Sequence, residues 1–246
     1  MVRRRLGFWR RFAVVLVLPV LKVWTKRTWI GLEKVPATGG VIIASNHVSH
    51  FDPLVVAHFI YGRGRWPRFL GKASLWRVPV LGPFLRKVKQ IPVERGSVEA
   101  VKSLDALVAA LDDGGVVVIY PEGTTTRQPD LWPMRGKTGA ARLALLTGAP
   151  VIPMANWGAQ TVFDPRTSKL KIRMRTPVSV IAGDPVDLSR WSGAQPTRAV
   201  LDQMTDKIML DIQDLLVELR GGTPPAEMYD RPASKRAAAE KTEDAG

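Results

Sequence analysis

Seven short apolar runs alternate with stretches of helical periodicity, and that alternation limits the fold more than anything else in the chain. The runs are 41–45 (VIIAS), 68–71 (RFLG), 89–93 (KQIPV), 115–120 (GVVVIY), 150–155 (PVIPMA), 169–174 (KLKIRM) and 178–182 (VSVIA). Each is too short for a buried helix and long enough for a buried strand. Helices are expected over 53–60, 97–112, 138–147 and 197–219, with Gly114, Gly115 and Gly148 as stops. Strands separated by helices of this length pack as layers, which predicts an α/β domain.

The chain has 246 residues, enough for one full core, and the tail from Gly221 is rich in Pro, Ala and charge, which predicts disorder over 221–246. Cysteine is absent, which excludes disulfides, thiolate zinc sites and cysteine nucleophiles. The formal charge is +14. Half of the 36 basic residues fall in two blocks, 1–36 and 63–95, each with a single acid. Both blocks mix bases with large apolar side chains: Trp24 and Trp29 in the first, and Trp66, Phe69, Leu70, Trp76 and Phe84 in the second. A polyanionic partner is expected, and the apolar content favours an anionic membrane surface over nucleic acid, for which no reader motif is present.

The apolar run 12–21 is half the length of a spanning helix and is closed by Lys22. A basic start ahead of it fits a signal peptide, but KVWTKRTW follows where a small-residue cleavage site belongs. An interfacial helix, apolar on one side and basic on the other, is the better match; a buried core helix is the alternative.

Two of the three histidines stand beside a carboxylate in NHVSHFD, residues 46–52. Pro53 disfavours helical geometry at Asp52, so Asp52 reads as an N-cap with Pro53 as the first helical residue. A turn between strand 41–45 and that helix can bring the His47 ring back to Asp52. Three roles fit: a base oriented by an acid, metal ligands (His47, His50, Asp52), or a plain helix start with two loop histidines. His58 is the only other histidine, so no further cluster supports a metal. No G-x-S-x-G sequence is present, so a histidine base would need a hydroxyl supplied by the substrate. RGKTG at 135–139 lacks the earlier glycine of a phosphate-binding loop, since position 131 is Leu131.

In order, NHVSHFD, GKASLWRVPVLG, KQIPVERG, YPEGT and VIPMA resemble the blocks of the glycerolipid acyltransferases, and are closest to the bacterial 1-acyl-sn-glycerol-3-phosphate acyltransferases. The resemblance covers roughly 35–187 and implies a mixed central sheet flanked by helices. It implies His47 and Asp52 as the catalytic pair and Arg95 as a phosphate contact. It also carries Glu122, Gly123 and Thr124 into the acceptor site. The family arginine after E-G-T is Thr125 here, so Arg127, Lys72 and Lys137 are the candidates for that contact. The implied acceptor is lysophosphatidic acid; the alternatives are an acyltransferase acting on another lysophospholipid or a glycolipid, and a non-catalytic lipid-binding protein on the same fold. The implied donor is acyl-CoA or an acyl carrier protein, with no cofactor and no metal. Residues 1–34 resemble a membrane-docking helical element and 35–220 the acyltransferase domain, implying peripheral attachment at the cytoplasmic face of the cell membrane.

Overall fold

The chain runs through helix α1 (Phe8–Trp24) and strand β1 (Thr25–Ile30) into β2 (Val41–Ser45) and α2 (Asp52–Gly62). It continues as β3 (Pro67–Lys72), α3 (Leu81–Lys87), β4 (Ile91–Val93) and α4 (Glu99–Asp112). β5 (Val116–Ile119), α5 (Gly139–Thr147), β6 (Val151–Trp157), the single turn α6 (Ala159–Val162), β7 (Thr176–Ala182) and α7 (Arg198–Arg220) follow. These elements come from a computed structural model, which describes residues 6–93, 99–171 and 173–230.

The seven strands form one mixed sheet in the order β1-β7-β6-β2-β5-β3-β4. From β6 to β4 every pairing is parallel. β7 turns antiparallel to β6 and takes β1 alongside it in parallel. The central strands are buried on both faces, so their sequences are unbroken apolar runs. Alternate residues feed opposite cores. Ile42, Ala44, Val117 and Ile119 meet α4, α5 and α7 on one face. Val41, Ile43, Val116 and Val118 meet α2 and Leu21 of α1 on the other.

Six of the seven expected strands and all four expected helices are present, with no boundary shifted by more than two residues; Ser97 and Val98 of the expected 97–112 helix lie outside the described residues. Residues 169–174 are the exception, with Ile172 outside the described residues. Leu170 makes only an isolated bridge to Phe163, because both edges of β7 are already taken by β6 and β1. The N-terminal segment also differs from a separate helical element ending at residue 34. It contributes one described helix, and residues 25–30 then join the sheet. The tail differs at its start: Tyr229 accepts a hydrogen bond from the Arg135 amide at 3.0 Å, so chain before residue 231 is docked. Residues 231–246 lie outside the described residues.

The second basic block turns its aromatics inward. Trp66, Phe69, Trp76 and Phe84 all line a cavity between α1, α2 and the β3–α3 segment. Arg65 is buried and serves as a staple, its guanidinium donating to the carbonyls of Pro36, Gly39 (2.6 Å) and Gly114 (3.0 Å).

Candidate active site

Adjacent parallel strands end on the same edge of a sheet, and that places the separated sequence blocks together. Across this edge, β6 ends near Asn156, β2 leads to His47, β5 to Tyr120 and Glu122, and β3 ends at Lys72. Val93, the last residue of β4, lines the same cavity; Arg95 lies outside the described residues.

The His47 ring sits with Nδ1 2.9 Å from Asp52 Oδ2. The same oxygen accepts the backbone N–H groups of Val48 at 2.6 Å and Ser49 at 2.8 Å. An oxygen taking two amide donors acts as acceptor toward the ring as well, so Nδ1 carries the hydrogen and Nε2 is left with its lone pair. Asp52 is fully buried. Burial pushes its carboxyl above the ordinary range, and the His47 bond and charge and the two amides pull in the opposite direction. Asp52 is therefore not an N-cap. It is the first residue of α2, Phe51 precedes it in helical geometry, and its carboxylate folds back onto the loop instead of capping the helix. The bonds to His47, Val48 and Ser49 outweigh what capping would return.

The loop itself is held from three sides. Asn46 and Asn156 bond reciprocally, the Asn156 amide donating to Asn46 Oδ1 at 2.8 Å and Asn46 Nδ2 to the Asn156 carbonyl at 3.0 Å. Ser49 Oγ donates to the Phe163 carbonyl at 2.7 Å. The Thr126 amide donates to the His47 carbonyl at 2.7 Å. The Tyr120 ring stacks on His47 with centroids 4.2 Å apart and planes 18° off parallel, which fixes the plane of the imidazole. Sequence reasoning missed Asn156, Tyr120 and Thr126. The polar Asn156 inside the buried run VIPMANW was the one legible signal, because a buried amide requires partners.

Glu122 is placed differently from a substrate contact. It is 3% exposed, with Oε1 accepting the His47 amide at 2.9 Å and Oε2 the Met134 amide at 3.0 Å. Burial raises its pKa to about 8 against the opposing pull of those two amides. Arg127 is exposed and stands apart from the cavity wall, whereas Thr125, at the family arginine position, lines it. Lys72, Gly123, Thr124 and Lys137 also line it. Gly123 adopts φ +70°, and a Cβ there would lie 3.2 Å from Lys137 Cε and Nζ, so glycine lets the lysine chain cross the turn. His50 is exposed at the rim, 6.1 Å from the His47 ring. His58 is buried on α2 and takes a hydrogen bond from Arg27 at 2.9 Å; burial first, then Arg27 and Lys22, lower its pKa to about 4, so it is a neutral pin between β1 and α2.

His47 thus opens onto a cavity of about 910 Å³, near the upper end of the roughly 300–1,000 Å³ usual for small-molecule sites. Much of its wall is apolar: Val14, Val17, Leu18 and Leu21 of α1, Leu54 of α2, and Leu70, Leu75 and Leu85 from the β3–α3 side. A base fixed by a buried carboxylate, lysines at the polar end and a long apolar lining together suit proton transfer from an amphiphile's head group.

An acyltransferase family model matches residues 26–157. The chain is 28% identical over 182 residues to a 1-acyl-sn-glycerol-3-phosphate acyltransferase of Borreliella burgdorferi, covering 72% of this chain and 70% of that one. It is 27% identical over 186 residues to the corresponding enzyme of Bacillus subtilis, covering 74% and 84%. The crystal structure of the 1-acyl-sn-glycerophosphate (LPA) acyltransferase PlsC from Thermotoga maritima shares the fold, with a TM-score of 0.58, 22% identity, and coverage of 89% of this chain and 79% of that one. With more than half of its length matched by the family model and curated enzymes as its relatives, the chain belongs to the acyltransferase family and is an O-acyltransferase of the glycerolipid type.

Proposed function

We propose that the chain moves a fatty acyl group from an acyl thioester, acyl-CoA or acyl carrier protein, to the free hydroxyl of 1-acylglycerol 3-phosphate, giving phosphatidic acid. The observation that carries this reading is His47, held through Nδ1 by buried Asp52 at the mouth of an apolar cavity. His47 Nε2 takes the acceptor hydroxyl proton as that oxygen attacks the thioester carbonyl. The carbon–sulfur bond then breaks, and the imidazolium returns the proton to the departing thiolate. Asp52 offsets the ring's positive charge during the interval, and general-base help of this kind contributes roughly 10²–10⁴-fold.

Lys72, Lys137 and Arg95 hold the acceptor phosphate, with the Gly123 backbone against Lys137 and Thr124 on the same wall; Arg127, exposed outside that wall, has no part in it. The fatty chains occupy the apolar end. α1 supports attachment to an anionic bilayer: among the described residues no helix is long and apolar enough to cross a membrane, yet Phe8, Phe12, Val15, Leu16, Val20 and Val23 form an outward apolar stripe on it. The bases of α1 do not form an opposite face; Arg10, Arg11 and Lys22 sit near its ends, where an interfacial helix meets head groups.

The test supplies labelled palmitoyl-CoA and a panel of acceptors to the purified protein. Phosphatidic acid from lysophosphatidate is the expected product. Equal transfer to monoacylglycerol would overturn the phosphate assignment, and equal transfer to lysophosphatidylcholine, a phosphodiester, the choice of a phosphomonoester acceptor.

A further inference from the structure

The Val78–Leu81 turn stands out as an exposed, apolar and strained segment. Val80 is 84% exposed, more than any other large apolar residue among those described, and Leu75, Val78 and Leu81 are exposed around it. Val80 adopts φ 67° and ψ −51°, and the Leu81 amide bonds to the Pro79 carbonyl two residues back at 2.8 Å. This is a γ-turn of the strained kind, and a β-branched residue is poorly suited to it. Folding alone would favour Gly or Asn at the position. A strained turn that thrusts valine into water has not been shaped by core packing, since Val80 touches no core cluster.

The surroundings identify what covers it. Arg77, Arg86 and Lys87, three to seven residues from the tip, are exposed, so the apolar turn is flanked in sequence by bases on both sides. A second copy of this chain would bring the same bases and a +14 charge against them. An anionic bilayer supplies both the acyl layer for the valine and the negative head groups for the bases. The turn also continues the surface of α1. α1 packs against α3, and both flank the cavity, α1 through Val14 and Leu18 and α3 through Leu85, with Leu75 ahead of the turn lining it too.

We propose that Leu75–Leu81 is a second bilayer-inserting element, which with α1 seats the cavity mouth within the lipid interface. This rests on the membrane reading of α1 given above, and goes beyond it by adding an anchor on the other wall. Acceptor and donor chains then enter the cavity laterally from lipid without crossing water.

The absence of cysteine makes a clean experiment available. Single cysteines are introduced as Val80→Cys, Val15→Cys and Gln195→Cys, and each is labelled with the environment-sensitive fluorophore NBD. Each protein is mixed with phosphatidylcholine vesicles containing phosphatidylglycerol, and with phosphatidylcholine vesicles alone. Gln195 is exposed just ahead of α7, on the opposite core face, and should report water throughout. The expected result is a blue-shifted, brighter emission at both 80 and 15 on the anionic vesicles only. A shift at 15 without one at 80 overturns the second anchor and leaves the α1 reading standing. A shift at 80 without one at 15 sinks the α1 reading and keeps the turn. A shift at 80 that grows with protein concentration in the absence of vesicles assigns the turn to self-association and overturns the proposal. Val80→Asn tolerates the backbone better than valine, so it keeps the fold. It should lower vesicle partitioning by about tenfold while leaving transfer to detergent-dispersed acceptor unchanged.

Discussion

Glu122 separates a residue that serves the substrate from one that builds the site. Its two oxygens accept the amides of His47 and Met134 inside a closed environment. Glu122→Ala orphans both donors, and a buried unsatisfied amide costs about 1–3 kcal/mol, so the loss is about 2–6 kcal/mol for the pair. In a domain of this size each kcal/mol moves the melting temperature by roughly 2–4 °C. A central value near 4 kcal/mol corresponds to a fall of about 8–16 °C in the absence of any ligand, read by circular dichroism. Glu122→Gln keeps one acceptor and should fall by about half as much. The wild type also carries a pH signature. The pKa of about 8 lies above the ordinary carboxylate range, so between the unfolded and folded values the native state holds a proton that the unfolded chain lacks. Stability contributed by this group is complete below about pH 4.5 and is lost as pH rises through about 8, at up to about 1.4 kcal/mol per unit. Glu122→Gln should lack that slope. A Glu122→Ala protein that melts with the wild type and loses only acceptor affinity would refute the brace and restore the substrate contact expected from the sequence.

His47→Ala should reduce kcat by roughly 10²–10⁴-fold without changing the melting temperature, whereas Asp52→Ala should lose both activity and stability, because the Val48 and Ser49 amides lose their acceptor. Tyr120→Phe should keep activity and match or exceed wild-type stability, since the buried hydroxyl has no protein hydrogen-bond partner among the described residues; Tyr120→Leu, which removes the stack on His47, should lower kcat at similar KM. Arg95→Lys should raise KM for lysophosphatidate while sparing transfer to an uncharged monoacylglycerol, because a point charge lacks the forked geometry of a guanidinium on phosphate.

Where a strand is buried on both faces its sequence is an apolar run with nothing else to be, so β2, β5 and β6 were legible at once. β1 was not. TKRTWI exposes most of its length, so it carries no run of buried side chains, and only its long-range pairing with β7 makes it a strand. KLKIRM has the better strand pattern, yet the only strand pairing among its described residues is the Leu170 bridge to Phe163. The His47–Asp52 meeting was legible because both partners lie within one loop. The reach of Glu122 back to the His47 amide spans 75 residues and depends on β2 and β5 being neighbours. A family motif places such a glutamate at the site without saying whether it faces ligand or backbone.

The sheet topology explains why the reactive end sits where it does. β2 and β5 are adjacent and parallel, yet the helices that follow them pack on opposite faces, α2 with one core and α5 with the other. Loops leaving neighbouring strand ends in opposite directions open a crevice, and crevices at such switch points are where open α/β sheets bind ligands. Here the crevice receives His47 from one loop and Tyr120, Gly123 and Thr124 from the other. Their separation is set by the 2.7 Å bond from the Thr126 amide to the His47 carbonyl and by the Glu122 brace. α1 and the β3–α3 segment then roof the α2 side of the crevice with apolar residues. One end of the resulting cavity is polar because strand ends expose loops, and the other is apolar because α1 presents hydrophobic side chains both inward and outward. A lysolipid has that same polarity along its length, so for the acceptor proposed above the topology alone would set the direction of binding.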